Sequence, residues 1–294
     1  MPVRRPIPCV LSIAGSDSGG GAGIQADLKA FAASGVHGTT AITVVTAQNT
    51  VGVSAIHPIP AETIIAQVRA VSEDIRIDAV KIGMLGTAAT IAAVRRALDE
   101  IPTGTPIVLD PVMVSESGAE LLEPGAIQAL IELLIPRVAV LTPNLPEARV
   151  LLARSEAARG AVGLADVDAL QRADAETLAR GIHGLGPGAV VLTGGHRDRA
   201  IDVFFDGARL VELPGERFAD GAAHGSGCTH SSVLAARLAW GDDPLEAARC
   251  AKSMASEAVR NGIRELGAGA GPVDVIGLGD ERRRRGPGPR PALA

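Results

Sequence analysis

Gly225-Ser226-Gly227-Cys228 stands directly ahead of a stretch with helical period, and these residue types together can hold an anion. Glycines let successive backbone N–H groups turn into one concavity, and a helix N-terminus adds partial positive charge. Such a hole suits a transferring phosphoryl group or an oxyanion. A cysteine at a helix start should have its thiolate favoured, so Cys228 is expected to be a competent base or nucleophile. The bland alternative is a small residue that packs the helix. Asp110 directly follows an apolar run, and Glu147 closes the spacing Asn144-x-x-Glu147. Two carboxylates at neighbouring strand ends, completed by waters and substrate phosphates, make a magnesium site. Either acid alone would read as a helix cap or a solvated charge.

A second concentration of small residues is Gly15-Ser16-Asp17-Ser18-Gly19-Gly20-Gly21-Ala22-Gly23. A loop this rich in glycine brings backbone close to a ligand. Gly21-x-Gly23-x-x-Ala26 fits the permissive dinucleotide pattern, which also needs an acidic residue at the end of the second strand. No Asp or Glu occurs between Asp27 and Glu62, so that reading fails, and no P-loop motif is present. His224 and His230 bracket Cys228 and raise a rival, a Cys–His hydrolase. Proximity along the chain is poor evidence for it, because such partners meet in space. His37, His57 and His183 read as loop or surface residues, and Cys9 and Cys250 as packing residues.

The elements that must position these groups alternate. Strands are predicted at Cys9–Ala14, Ala41–Thr46, Ala79–Ile82, Ile107–Leu109, Val138–Leu141, Ala189–Leu192, Ala200–Phe205 and Ala208–Leu213, the last two joined by an Asp206-Gly207 turn. Helices are predicted at Ile24–Ala33, Ala61–Val71, Ala88–Leu98, Pro124–Leu134, Val167–His183, Thr229–Ala239 and Pro244–Asn261, with Pro124 and Pro244 in first turns. This alternation implies one doubly wound α/β domain over residues 1–280, with an antiparallel hairpin near an edge. Ligands of such sheets bind beyond the carboxyl ends of the strands. There the sequence places the glycine loop, Gln48-Asn49, Gly83-Met84, Asp110-Pro111, Thr142-Pro143-Asn144 and Thr193-Gly194-Gly195-His196.

Composition narrows the classes. The 294 residues are 47% apolar and only 2% aromatic, with no Tyr and one Trp. A core of Ala, Val, Leu and Ile suits helices on a buried parallel sheet, and aromatic stacking on single-stranded nucleic acid is disfavoured. The first 280 residues hold 23 basic and 32 acidic side chains, net −9, a poor partner for a phosphate backbone. Residues 281–294 carry five Arg and one Glu and are expected to be a disordered, solvated tail. Three cysteines give neither a disulfide framework nor a C-x-x-C pair, which fits a reducing cytoplasm. The Cys9–Ala14 run is too short for a signal peptide, and Ala126–Leu141 is too interrupted to span a bilayer, so no membrane partner is expected.

The motifs taken together resemble the hydroxymethylpyrimidine/phosphomethylpyrimidine kinases of thiamine biosynthesis, within the ribokinase-like superfamily. The resemblance rests on Ser12 to Asp27, Thr46-Ala47-Gln48-Asn49-Thr50, Lys81-Ile82-Gly83-Met84-Leu85, Asp110-Pro111-Val112-Met113, Thr142 to Ala148, and Gly225-Ser226-Gly227-Cys228-Thr229. It spans about residues 8–275. It implies a three-layer fold with a mainly parallel central sheet, often dimeric, and an ATP- and magnesium-dependent kinase acting on a small pyrimidine. On that resemblance Gln48 and Asp27 hold the aminopyrimidine, with Gly15, Met84 and Val112 lining the pocket. Cys228 takes the proton from the hydroxymethyl group, and the N–H groups of Gly225 to Cys228 hold the transferred phosphoryl. Magnesium sits near Asp110 and Glu147, and ATP lies along Thr193, Gly194, Gly195 and the helix containing Lys252. The nearest alternative is a pyridoxal-type kinase of the same fold. Two departures stand out: Ser226 where the family usually has Thr, and Glu116 where it usually has Lys. The second is expected to weaken handling of an already phosphorylated substrate.

Overall fold

Runs of β-branched and aliphatic residues become strands here because both of their faces are covered, and the longer periodic segments between them supply the cover. The computed structural model describes residues 6–115, 118–164, 166–194, 200–218 and 222–279. Its elements in chain order are β1 (Cys9–Asp17), α1 (Gly23–Ala33), β2 (His37–Gln48), β3 (Val53–Pro58), α2 (Ala61–Ser72), β4 (Ala79–Ile82), α3 (Ala88–Ala97), β5 (Ile107–Leu109), α4 (Ala126–Ala129), β6 (Val140–Leu141), α5 (Leu145–Ala153), α6 (Glu156–Ala161), α7 (Val167–Arg172), α8 (Ala175–His183), β7 (Ala189–Leu192), β8 (Asp202–Phe205), β9 (Leu210–Leu213), α9 (Ser226–Trp240) and α10 (Pro244–Arg260).

The nine described strands form one sheet in the order β3-β2-β1-β4-β5-β6-β7-β8-β9. From β2 to β7 neighbours are parallel, while β3 at one edge and the β8–β9 hairpin at the other are antiparallel. The winding reverses between β1 and β4, which makes their carboxyl ends the place where a ligand crevice opens. Side chains alternate between two cores. Leu11, Ile13, Val80, Ile82, Ile107 and Leu109 face α2, α3, α4, α5 and α8, while Val10, Ala79, Val108 and Val140 face α1, α9 and α10. Ser12 and Lys81, paired in register across β1 and β4, fall on this second face.

Several sequence expectations need correction. Val53–Pro58 is a strand without an apolar signature, because nearly all of it is exposed at the sheet edge. Pro124 precedes its helix rather than opening it, and that helix passes after four residues into a π-helical stretch, Leu130–Leu134. The segment Val167–His183 is two helices, since Asp174 caps a new one by accepting the Thr177 N–H at 2.8 Å. Helices α5 and α6 were not anticipated. Pro244 does open α10, and Gly207 takes a φ of 88° in the β8–β9 turn. Glu116, Gly195, His196 and the arginine tail lie outside the described residues. Among those described, no helix is long and apolar enough to cross a membrane.

Candidate active site

Helix α9 starts where β1 and β4 end. Its N-cap, Gly225, has φ +82°, and a Cβ there would collide with the carbonyl oxygen of Gly21, so only glycine closes this approach. Of the first-turn N–H groups, that of Ser226 donates to the Ala223 carbonyl at 3.0 Å, while those of Gly227 and Cys228 open beside the glycine loop without the intrahelical carbonyls that later turns enjoy. That loop is held from inside by Asp17. Its carboxylate accepts N–H bonds from Gly19 at 2.8 Å, Gly21 at 3.0 Å and Ala22 at 2.8 Å, and pairs with His224 Nε2 at 3.2 Å. Burial opposes ionisation of Asp17, but His224 and these N–H groups outweigh it, and the carboxyl lies below its usual range. Lys29 Nζ donates to the Gly20 carbonyl at 2.7 Å and pins the outer limb. The two loops named by the sequence thus form one structure, joined through His224.

Asp110, at the end of β5, lies under the same helix. Ser231 Oγ donates to its Oδ2 at 3.0 Å, and a Cβ on Gly227 would stand 3.8 Å from that oxygen. Glu147 caps α5 reciprocally with Asn144, accepting its N–H at 2.9 Å, and takes a longer bond from Met113 N–H at 3.4 Å. The cap reading of Asn144-x-x-Glu147 is therefore correct as local structure, yet Glu147 is also buried. Burial first and the Asp110 charge second push its carboxyl up to about 8. Burial likewise raises Asp110 against the opposing pull of Lys81. Two buried carboxylates that discourage each other's ionisation are relieved by a divalent cation. The described residues offer no third clustered ligand, which leaves the remaining positions to phosphate oxygens and waters. The pair fits magnesium.

Cys228 departs from expectation. Burial raises its thiol first, Lys81 opposes, and the Asp27 and Asp110 charges raise it further, so it is pushed up to about 12 rather than drawn down by the helix terminus. The resting group is a thiol. Neither His224 nor His230 is its hydrogen-bond partner among the described residues: the first serves Asp17, and the second has both ring nitrogens unpartnered, 3.6 Å from Asp202. The hydrolase dyad does not form.

Asp27 also has a different duty from the one the resemblance implied. It is fully buried, and its oxygens accept from Ser12 Oγ at 2.6 Å, Lys81 Nζ at 2.8 Å and Ser232 Oγ at 2.8 Å. No surface remains for a pyrimidine amine. The other pocket residues are better placed. A Cβ on Gly15 would lie 3.2 Å from Met84 Sδ, so these two meet at the β1–β4 crevice. Val112 is half-buried and hydrogen-bonded to the Asp110 carbonyl at 2.9 Å. Gln48 lines a cavity of about 200 Å³ with Asn49, Thr50, Ser115, His224 and Ala270. Its backbone is clamped by Ser18, whose hydroxyl accepts from Gln48 N at 2.8 Å and donates to its carbonyl at 2.7 Å.

A larger cavity of about 540 Å³ opens beside α10, lined by Pro214, Phe218, Arg249, Lys252, Ser256 and Arg260 among others. Lys252 is tied down: its Nζ donates to Asp202 Oδ1 at 2.7 Å, and the Gly194 N–H donates to the same oxygen at 2.8 Å. Thr193 bridges to Asn144, so the ends of β6 and β7 stay together. Sequence reasoning passed over Asp17, Lys81, Asp202 and Ser231 as functional groups, and weighed His224 only as a partner of Cys228 rather than of Asp17. Lys81 and Asp202 did carry a signal, a charge inside an otherwise apolar strand.

Comparisons with known proteins agree with this geometry. The Phosphomethylpyrimidine kinase family model matches residues 17–274. The hydroxymethylpyrimidine/phosphomethylpyrimidine kinase of Rhizobium meliloti is 46% identical over 266 residues, covering 90% of this chain and 95% of that protein. Among solved structures, the pyridoxal kinase of Staphylococcus aureus in complex with ADP superposes with a TM-score of 0.78 at 32% identity, covering 92% and 94% of the two chains. The phosphomethylpyrimidine kinase of Clostridium difficile gives 0.70 at 38% identity, covering 86% and 99%. A match over most of the chain, with the anion loop and strand-end carboxylates assembled at one crevice, makes this chain a member of the phosphomethylpyrimidine kinase family.

Proposed function

We propose that this kinase transfers the γ-phosphoryl group of ATP to the hydroxymethyl oxygen of 4-amino-5-hydroxymethyl-2-methylpyrimidine, and then a second phosphoryl to the phosphate of that product. The observation that carries this reading is the convergence of the α9 N-terminus, Asp110 and Cys228 at the β1–β4 switch. The Gln48 amide both donates to and accepts from a pyrimidine edge. Gly15, Met84 and Val112 wall the ring. The N–H groups of Gly227 and Cys228 in the Gly225–Cys228 turn receive the transferring group, whose equatorial oxygens carry the developing charge. Asp110 and Glu147 would hold magnesium, which supplies charge neutralisation between the phosphates. Thr193 and Gly194 face the phosphate chain, and the cavity beside Phe218 and Lys252 takes the nucleoside. Cys228 in its thiolate form accepts the hydroxyl proton. Because the resting thiol is protonated, positioning and electrostatics dominate the rate, as a loose phosphoryl transition state allows.

The protein works in the cytoplasm as a single catalytic domain spanning residues 1–280, and as a homodimer. The β2–β3 edge leaves Val45 and Ile56 exposed, which supports an interface there. A second reading, phosphorylation of pyridoxal, is favoured by the superposition on a pyridoxal kinase. Incubation with magnesium-ATP and hydroxymethylpyrimidine, with products identified by mass, tests the proposal. Monophosphate and diphosphate are expected. Monophosphate alone would confine the enzyme to the first step, and no product from the pyrimidine alongside turnover of pyridoxal would replace the substrate.

A further inference from the structure

Lys81 is, with Phe31 and Phe204, among the largest side chains of the described residues with essentially no exposure. An amine at such depth needs a reason. Its Nζ bonds to Asp27, which in turn holds Ser12 and Ser232, and all four residues are fully buried. They come from β4, α1, β1 and α9, the four elements whose ends form the crevice. Ser232 lies four residues, about one turn, after Cys228, so the tether reaches α9 just behind its anion-binding end. Gly83 leaves room for the amine, since a Cβ there would stand 2.8 Å from Nζ.

Stability does not explain the arrangement. Well-packed apolar residues of the same volume would serve the core at least as well, because a buried ion pair barely recovers its desolvation cost. A substrate role is excluded by burial. What the network does is lock α9 in depth and rotation against the two strands at the switch, with a fixed positive charge beneath the anion loop.

We propose that Lys81 and Asp27 are a positioning pair for phosphoryl transfer: through Ser12 and Ser232 they hold the Gly225–Cys228 turn in register over the ends of β1 and β4. The proposal rests on the reading of that turn as the phosphoryl-binding site. The amine stays charged, since burial disfavours its proton but Asp27 and the other acidic groups around it, Asp110 among them, together more than compensate. Its charge also reaches the Cys228 sulfur. Lys81 is therefore no proton donor in the cycle, and neither member of the pair touches substrate.

The test compares the double variant Lys81→Met/Asp27→Asn with the wild type in thermal unfolding and in kcat and KM for ATP and the alcohol. The double variant avoids stranding one buried charge, which either single variant would do. Displacing a catalytic turn by a fraction of its width lowers kcat by about 30-fold or more while leaving ground-state binding nearly intact. We expect that kcat loss with KM values little changed and a melting temperature close to wild type. A folded double variant with wild-type kcat, or one whose kcat/KM falls only through KM, would overturn the proposal. Should the double variant fail to fold, Ser232→Ala decides alone, because it removes the α9 tether and keeps the ion pair. Loss of one hydrogen bond of ordinary strength predicts kcat about 5-fold lower at unchanged KM, and an unchanged kcat would overturn the pair. The choice of alcohol is immaterial here, so turnover of pyridoxal in place of the pyrimidine still tests the pair. A wild type that phosphorylates neither alcohol would instead overturn the function on which the pair depends.

Discussion

Toward α2, α3, α5 and α8 the central strands present Leu11, Ile13, Val80, Ile82 and Leu109, an aliphatic surface. Toward α1, α9 and α10 the same sheet sets Ser12, Lys81 and Asp202 among Val10, Val108, Val140 and Phe204. Apolar burial adds stability in proportion to area and asks for no partner. Polar burial costs free energy unless each group is paired, and here each pair runs from the sheet to a helix: Lys81 to Asp27 on α1, Asp202 to Lys252 on α10, Asp110 to Ser231 on α9. The first face makes the fold stable. The second ties the sheet to α1, α9 and α10 through paired polar groups, and α9 opens with the Gly225–Cys228 turn.

The contrast can be broken most severely at Lys252. Lys252→Met leaves Asp202 buried without its cation and should lower stability by about 3–5 kcal/mol in a denaturant titration, with a raised KM for ATP. A loss well under 1 kcal/mol would place that pair in water-like surroundings and dissolve the distinction between faces. Asp110→Asn removes a charge from the transfer site and should reduce kcat by about 100- to 1,000-fold, with an increased magnesium requirement in steady-state assays. A variant with normal magnesium dependence would move the metal elsewhere.

Asp17→Asn sharpens the comparison through pH. The folded Asp17 titrates below its ordinary value of 3.8, so its contribution is present above that pH and is lost as pH falls through the lower folded value. The wild type should exceed the variant by about 1.5–3 kcal/mol at pH 7, from charge-assisted bonds, and the gap in melting temperature should close below pH 3.8. A gap independent of pH would assign the effect to packing. The smallest effect belongs to the aliphatic face. Ile82→Val should cost about 0.5–1.5 kcal/mol of stability and leave kcat of the folded enzyme unchanged.

How far the sequence could be read follows the same division. Strands β4, β5 and β7 were bounded correctly because each is a short aliphatic run buried on both faces. Val53–Pro58 was invisible because an edge strand exposed along its length needs no apolar pattern. Helix α5 hid behind a chemically suggestive motif, since Asn144-x-x-Glu147 serves a cap and an acidic site at once. Residue type and spacing singled out the Gly225–Cys228 turn and Asp110, which the fold brings to the same helix end. They did not reveal that Asp27 would be enclosed by Lys81, Ser12 and Ser232, or that burial would keep Cys228 protonated, because both depend on which distant elements close over a side chain. Motif similarity carried Asp27 to the substrate, and three-dimensional burial removed it.

The claim that the α9 turn performs the transfer, with Cys228 as its base, is tested most directly by the pH profile of kcat/KM for wild type and Cys228→Ala. A base whose thiol titrates near 12 gives a rate that climbs with pH through the whole stable range of the enzyme. The wild type should show that rise, and Cys228→Ala should be slower by about 100-fold or more and lack it. A Cys228→Ala enzyme with the wild-type rate and the wild-type slope would contradict the assignment and leave the chemistry to the anion loop and the metal alone.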